Sequence, residues 1–483
     1  MKKQMALCAI AVLAMSTSSW AALGMGDINF DGSLEVSGNS ANNEQDLGGV
    51  KASNTGSNDH RGSTVTRVRL GMNAKVTEDV SGRIEVARNP DSAGNSAFYG
   101  SGATSVQGEQ NNFLFQNAFV TIEDLWGTDV RLGRQYVGEA GDIVWNIGPK
   151  SDDNLSINSI DGVLVKCKEG KSSGTVWDRI HLELFTGKAS ESQVSNAQTD
   201  ANVGTGDVNL SNIEAKLDVI PGGRVRTAVL MGDQSNSVAT GDNNHLRIFR
   251  LGANGGVAEN MVTYRAEYLQ NFGTFNGAGA TSDLKYKGNA IDLGVGFNSK
   301  DTPVGGFSLW ANYFVASGDK DTTNNDDKSF HDFSSLGVNT SDRYFGEIFG
   351  KSNALGGGTP LGQGVNGVNS GLQGLGLEVF NLGVNYKPAF ATKTWARLDY
   401  YMLSRAEDTQ DSVNVGKKFG NEFDLTLGYN HTDNVGFEVG GAMLNSDEAL
   451  DFGRTGTLNG TQQDTITKLF ARAKVKWGGE EKQ

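Results

Sequence analysis

A chain of 483 residues with 65 glycines, only 6 prolines and a mean hydropathy of −0.37 is too polar to cross a bilayer with helices and too long for one ordinary globular core. Its formal net charge of −14 argues against nucleic acid as a partner. What does recur is a short stretch with apolar residues at every second position, polar residues between them and a turn at its end, about eighteen times over.

Residues 1–21 read as a secretory signal peptide. Lys2 and Lys3 precede an apolar run from Met5 to Met15, and Ser19-Trp20-Ala21 supplies the small-x-small cleavage pattern, so the mature chain is expected to begin at Ala22. The run is shorter than the roughly 20 residues of a spanning helix. Cys8 would leave with the peptide, and Cys167 alone forms no internal disulfide.

From Ile28 the alternation begins. A first strand, Ile28 to Val36, is followed by an Asn/Ser/Gly-rich segment and then by the clearest case. Val68, Leu70, Met72, Ala74 and Val76 point one way, while Arg67, Arg69, Gly71, Asn73 and Lys75 point the other. Lipid can take the first face and water the second. Short links follow at Thr77 to Asp79, Leu125 to Gly127, Pro221 to Gly223, Pro388 to Thr392 and His431 to Asp433. Between them run long polar segments at about 89–111, 138–158, 188–207, 234–244, 273–285, 319–375, 405–419 and 445–463. This alternation of lengths predicts an all-β, transmembrane antiparallel β-barrel spanning residues 22–483 as one domain, with short periplasmic turns and long extracellular loops. The count is about 18 strands, or 16 if Ile160 to Cys167 is not one. The last strand would point Leu469, Ala471, Ala473, Val475 and Trp477 outward, which resembles the terminal strand read by the barrel assembly machinery, here extended by residues 478–483. Aromatic residues at strand ends, among them Phe30, Tyr264, Tyr268, Phe307, Tyr313, Tyr386, Tyr400, Phe423 and Tyr429, fit girdles at the two membrane interfaces.

If the apolar sets face lipid, parity assigns the remainder to the lumen. Arg67, Arg69, Arg83, Arg131, Arg179, Arg224, Arg226, Arg247, Arg265 and Arg397 fall on that face, accompanied by Arg472 and several lysines. Acids share it, including Asp31, Glu35, Glu85, Glu214, Asp292, Asp399, Glu422 and Asp424. Bases exceed acids slightly, so the negative excess of the chain is expected in the loops. Two readings of this wall compete: cross-strand pairs that stiffen the barrel, and a basic ring that attracts anions. The segment from Asp319 to Gly374 is the longest, acidic at first and then glycine-rich, and part of loop 319–375 is expected to fold inward and narrow the lumen. Its early aspartates do not match the spacing of a calcium loop.

Catalytic patterns fail in context. Gly170 to Gly174 fits G-x-S-x-G but lies between strands, and Gly362, Gly364 and Gly367 fit G-x-G-x-x-G inside a loop. The 5 histidines show no metal spacing. No catalytic set, metal or cofactor is expected.

Arg131-Leu132-Gly133-Arg134-Gln135, with Asp142 and Ser159-Ile160-Asp161-Gly162-Val163 beyond it, and Gly420-Asn421-Glu422-Phe423-Asp424-Leu425 followed by Thr432-Asp433-Asn434, resemble segments of the alginate-export family of outer-membrane channels and similar porins. The resemblance covers about a quarter of the chain. It implies an 18-stranded barrel with an arginine-rich conduit, a monomer in preference to a trimer, in the outer membrane of a Gram-negative bacterium. The interior acids favour a passive channel for small hydrophilic solutes, anions among them, over export of an anionic polysaccharide such as alginate. A surface adhesin or barrel enzyme is the remaining alternative and lacks a convergent site.

Overall fold

A computed structural model describes residues 28–42, 60–88, 113–167, 179–190, 207–235, 243–276, 283–351, 374–449 and 465–478, apart from 221, 300–301, 322, 411–412 and 415. The proposed signal peptide, the G-x-S-x-G stretch and the glycine-rich half of the longest loop lie outside these residues.

Eighteen long strands form the wall. They are β1 (Ile28–Asn42), β2 (His60–Lys75), β3 (Val80–Arg88), β4 (Phe113–Leu125), β5 (Thr128–Gln135), β6 (Ile160–Cys167), β7 (Ile180–Ser190), β8 (Asp207–Ile220) and β9 (Gly223–Ser235), then β10 (Asn243–Val257), β11 (Val262–Asn276), β12 (Asn289–Asn298), β13 (Gly305–Ala316), β14 (Leu377–Pro388), β15 (Thr394–Ser404), β16 (Lys418–Thr432), β17 (Val435–Ser446) and β18 (Thr465–Trp477). Each pairs antiparallel with its neighbours in the chain, and β1 closes on β18 from Gly32 opposite Trp477 to Asn42 opposite Thr467. Closure leaves no open edge, so every strand can pair its backbone without water. The segment Ile160–Cys167 pairs on both sides, with β5 and with β7, and settles the count at eighteen.

Short connections gather at one end and long ones at the other. The turns there are tight enough to force non-glycine residues into the left-handed region, at Asp124, Trp126, Ala258, Glu259 and Asn260. The outward face is apolar around the ring, with Leu70, Ile213, Leu251, Leu293, Leu382, Leu425 and Val439 all more than a third exposed. Phe30, Tyr386, Tyr429 and Trp477 stand at the short-turn end of this band. Trp477 covers Gly32 on the neighbouring strand, where a Cβ would collide with the indole.

Inside, the polar-in rule holds only part way up. Towards the long-loop end the inward positions turn apolar: Leu210, Leu230, Leu246, Ile248, Leu269, Leu377, Leu403, Leu444 and Ile466 are almost wholly buried. They pack against Val144, Trp145 and Ile147 from the connection between β5 and β6, and against Phe333, Leu336, Phe345 and Ile348 from the connection between β13 and β14. The barrel therefore carries a hydrophobic core within its upper half.

Placing arginine at Leu70 or Leu425 on the apolar outer band should cost about 2–4 kcal/mol near the bilayer midplane, read as lost heat-modifiable migration and lower refolding yield in lipid vesicles. Arginine at lumen-facing Thr426 should fold normally.

Candidate functional site

Two segments from the long-loop end lie against the inner wall and against each other. One is 136–159 and the other 317–351. The Asn146 amide donates to the Thr340 carbonyl at 2.7 Å, the Asp342 amide to the Asp142 carbonyl at 2.9 Å, and the Asn158 side chain to the Asn339 carbonyl at 3.1 Å. Lys150 lies between them, donating to the carbonyls of Asn146 and Ser341. Burial pulls its ammonium down to about 8, against the opposing pull of Asp342 and Asp152.

The wall grips these segments through charge. Arg250, 1% exposed, meets Asp142 at 2.5 Å and also pairs with Glu267. Burial would push the Asp142 carboxyl up, but the guanidiniums of Arg250 and Arg226 prevail and hold it below the usual carboxylate range. On the opposite side Glu422 accepts the amides of Ile348 and Phe349 at 2.6 and 2.9 Å, and Asp424 accepts that of Glu347 at 3.0 Å. Lys468 reaches Asp153 and the Glu347 carbonyl, each at 2.5 Å, and Arg472 pairs with Glu347 at 2.5 Å. Arg67 donates to the Lys150 carbonyl at 2.8 Å. Acids that sequence parity placed in the lumen thus serve as acceptors for otherwise unsatisfied backbone.

The arginines singled out by parity have the following surroundings. Arg67 pairs with Glu35 at 2.7 Å, Arg69 approaches Glu85 at 3.9 Å, and Arg83 bridges Asp31 at 2.6 Å and Glu85 at 2.7 Å. Arg226 pairs with Glu214 at 2.7 Å, Arg265 with Asp292 at 2.7 Å and Arg397 with Asp399 at 2.5 Å. Arg131 lies over the Phe119 ring at 4.3 Å. Arg179 and Arg224 border a hollow at the short-turn end, where Arg224 holds Asp218 at 2.6 Å.

Arg247 is a correction. It shares parity with outward Leu251 and pairs with Asp233 at 2.6 Å on the outer face. Here the inward residues are Leu246, Ile248 and Arg250, because the wall backs onto the buried core and no longer alternates polar-in. Sequence reasoning missed Arg250 for the same reason. It also missed the inward course of 136–159, although Ile143-Val144-Trp145-Asn146-Ile147 is too apolar for a loop in water.

Below the inward segments lies a cavity of about 910 Å³. Its basic lining is Arg67, Arg69, Arg83, Arg131, Lys150, Lys351, Arg472, Lys474 and Lys476, against Glu35, Glu85, Asp152, Asp433 and Glu438. A second cavity of about 460 Å³, lined by Trp310, Arg343, Trp395, Arg397 and Asp399 among others, shares Lys351, Glu438 and Arg472 with the first. Among the described residues no cluster of His, Cys, Asp and Glu could hold a metal.

No family model matches the chain, and no curated protein does. Among solved structures it is similar to Pseudomonas aeruginosa OccK11 (OpdR), with a TM-score of 0.53 and 11% identity over 94% of this chain and 96% of that one. It is likewise similar to P. aeruginosa OpdQ, TM-score 0.52, 11% identity, over 94% and 98%, and to Acinetobacter baumannii OccAB4, TM-score 0.51, 12% identity, over 94% and 99%. At such identities the shared property is the fold, an eighteen-stranded barrel. None of these matches carries the alginate-export resemblance.

Replacing Glu422 by alanine should leave the amides of Ile348 and Phe349 buried without acceptors, at about 1–3 kcal/mol each. Hydrogen exchange at those amides should accelerate while the barrel keeps its heat-modifiable migration. Glutamine keeps one acceptor oxygen and turns a donor NH2 towards the other amide, so it should restore protection at one of the two amides only.

Proposed function

We propose that this protein is an outer-membrane diffusion channel for small hydrophilic solutes, with a preference for anions. The observation that carries this reading is the basic excess around the larger cavity, which nine cationic side chains and five acids line. A confined, low-dielectric hollow with a net positive lining concentrates anions and raises the barrier to cations. Of the arginines named from parity, Arg67, Arg69, Arg83 and Arg131 line that hollow, and with Lys474 and Lys476 they form its selectivity surface.

Segments 136–159 and 317–351 set the constriction in this proposal, since both cross from the long-loop end to contacts on the inner wall. The proposal also includes export with loss of residues 1–21, insertion by the barrel assembly machinery through β18, and function as a monomer surrounded by outer-membrane lipid. Passage of a bulky anionic polysaccharide is the weaker reading, because the inward segments are pinned by buried ion pairs.

Reversal potentials across a planar bilayer in a salt gradient should show anion preference that weakens as ionic strength rises. Changing Lys474 and Lys476 together to glutamate should diminish or reverse it; an unmoved preference in the variant, or cation preference in the unmodified channel, overturns the proposal. Deleting residues 322–372 should raise single-channel conductance, and unchanged conductance in a folded barrel would return the narrowing to the wall side chains.

A further inference from the structure

Two tryptophans on the lumen wall stand opposite glycines. Trp310 on β13 is in register with Gly383 on β14, and Trp395 on β15 with Gly428 on β16. A Cβ added at either glycine would collide with the atoms of the indole beside it. Each ring is therefore folded over bare backbone on the next strand. Covering a glycine with an aromatic ring is a common sheet device. Phe185 over Gly162 and Phe470 over Gly440 do the same here, but those rings are 3% and 4% exposed. Trp310 and Trp395 are only partly buried and line the 460 Å³ cavity.

The polar groups around them are of a particular kind. Arg397, on β15 between Trp395 and Asp399, places its guanidinium 4.9 Å from the centre of the Trp310 ring. Its Nε and Nη2 both donate to Asp399, and the side chain is 47% exposed. Asn312, Asn381, Thr426 and Glu438 belong to the same lining, as do the cations Arg265, Arg343, Lys351 and Arg472. Flat apolar platforms ringed by carboxylate and amide acceptors and by guanidinium and ammonium donors suit a molecule with one C–H face and hydroxyl groups, which both donate and accept, on its rim.

From this juxtaposition we propose that Trp310 and Trp395 form a stacking track for pyranose sugars. Four residues along a strand and two strands across separate the two glycines by about 16 Å, too far for one ring to touch both. They are successive stations: Trp395 near the short-turn end, and Trp310 closer to the constriction, where the Arg397 guanidinium lies over the ring and must swing aside for a sugar to stack. Arg397 between them gives a carboxylated sugar an additional contact. The track rests on the two indoles and the ion preference on the charged lining of the larger cavity, although the two cavities share Lys351, Glu438 and Arg472.

The test is current blockade of the full-length channel in a planar bilayer, with maltotriose, glucose and glucuronate added on the short-turn side, and with sorbitol and benzoate as the linear polyol and aromatic acid. The sugars should interrupt the current reversibly, and sorbitol should not. Trp395→Ala should weaken the maltotriose block up to about tenfold, one stacking contact, while Trp395→Phe retains most of it and anion preference stays unchanged. Heat-modifiable migration checks that each variant folds, and Gly428→Val, which displaces the indole without removing it, should weaken the block in the same way. Block by benzoate with silence from the sugars, equal block by sorbitol, or a sugar block indifferent to Trp395→Ala and Trp310→Ala would each overturn the proposal.

Discussion

Pairing of β1 with β18 is the contact on which the rest of the molecule depends. In a hydrocarbon medium each unsatisfied backbone group costs several kcal/mol, so a sheet of this length survives only if its first and last strands meet. Ten residues and more of continuous register across that seam, from Gly32 to Asn42, supply the last pairing of the ring. Once the ring is closed, the side-chain period of two becomes a division between lipid and lumen. Leu34, Leu70 and Leu469 must then be outside, and Asp31, Arg83 and Lys468 inside.

That division creates a second problem, because a ring of this size encloses more space than wall side chains can fill. Here it is filled from the long-loop end. Val144, Trp145, Phe333 and Phe345 bring apolar surface inward and meet leucines and isoleucines on the wall. A loop cannot enter such a place without carrying backbone groups that lose water. Glu422, Asp424, Arg67 and Lys468 take up that cost, the acids accepting amides and the bases accepted by carbonyls. Lumenal charge therefore falls into two groups, one that anchors the inward segments and one that lines the cavity below them, with Arg67 in both. Counting charges by strand parity merges the two.

The fold was largely legible because lipid imposes a pattern that does not depend on partners. Strand alternation, the short and long connections and the outward aromatics such as Tyr386 and Tyr429 all follow from the bilayer, and each appears in the sequence residue by residue. The site was less legible, since its character depends on which loops turn inward. Arg131 and Arg67 could be placed by parity, whereas Arg247 could not, because Leu246 and Ile248 face a buried core that parity treats as lipid. Glu422 and Asp424 were read as lumenal charge and in the structure hold backbone amides, a role invisible without the loop that supplies them.

The same reasoning explains how barrels at 11–12% identity retain one architecture. Closure and alternation restrict each position to a class, apolar or polar, and restrict almost nothing to a single residue. Positions that do demand one residue are those where side chains meet across strands, as at Gly383 beneath Trp310 and Gly428 beneath Trp395, or where a carboxylate meets a buried amide, as at Glu422. Such positions contribute little to whether a barrel forms and much to how its interior is arranged. What distinguishes this barrel from others of its fold is therefore to be sought in the few inward residues with fixed neighbours, because the wall as a whole is free to drift.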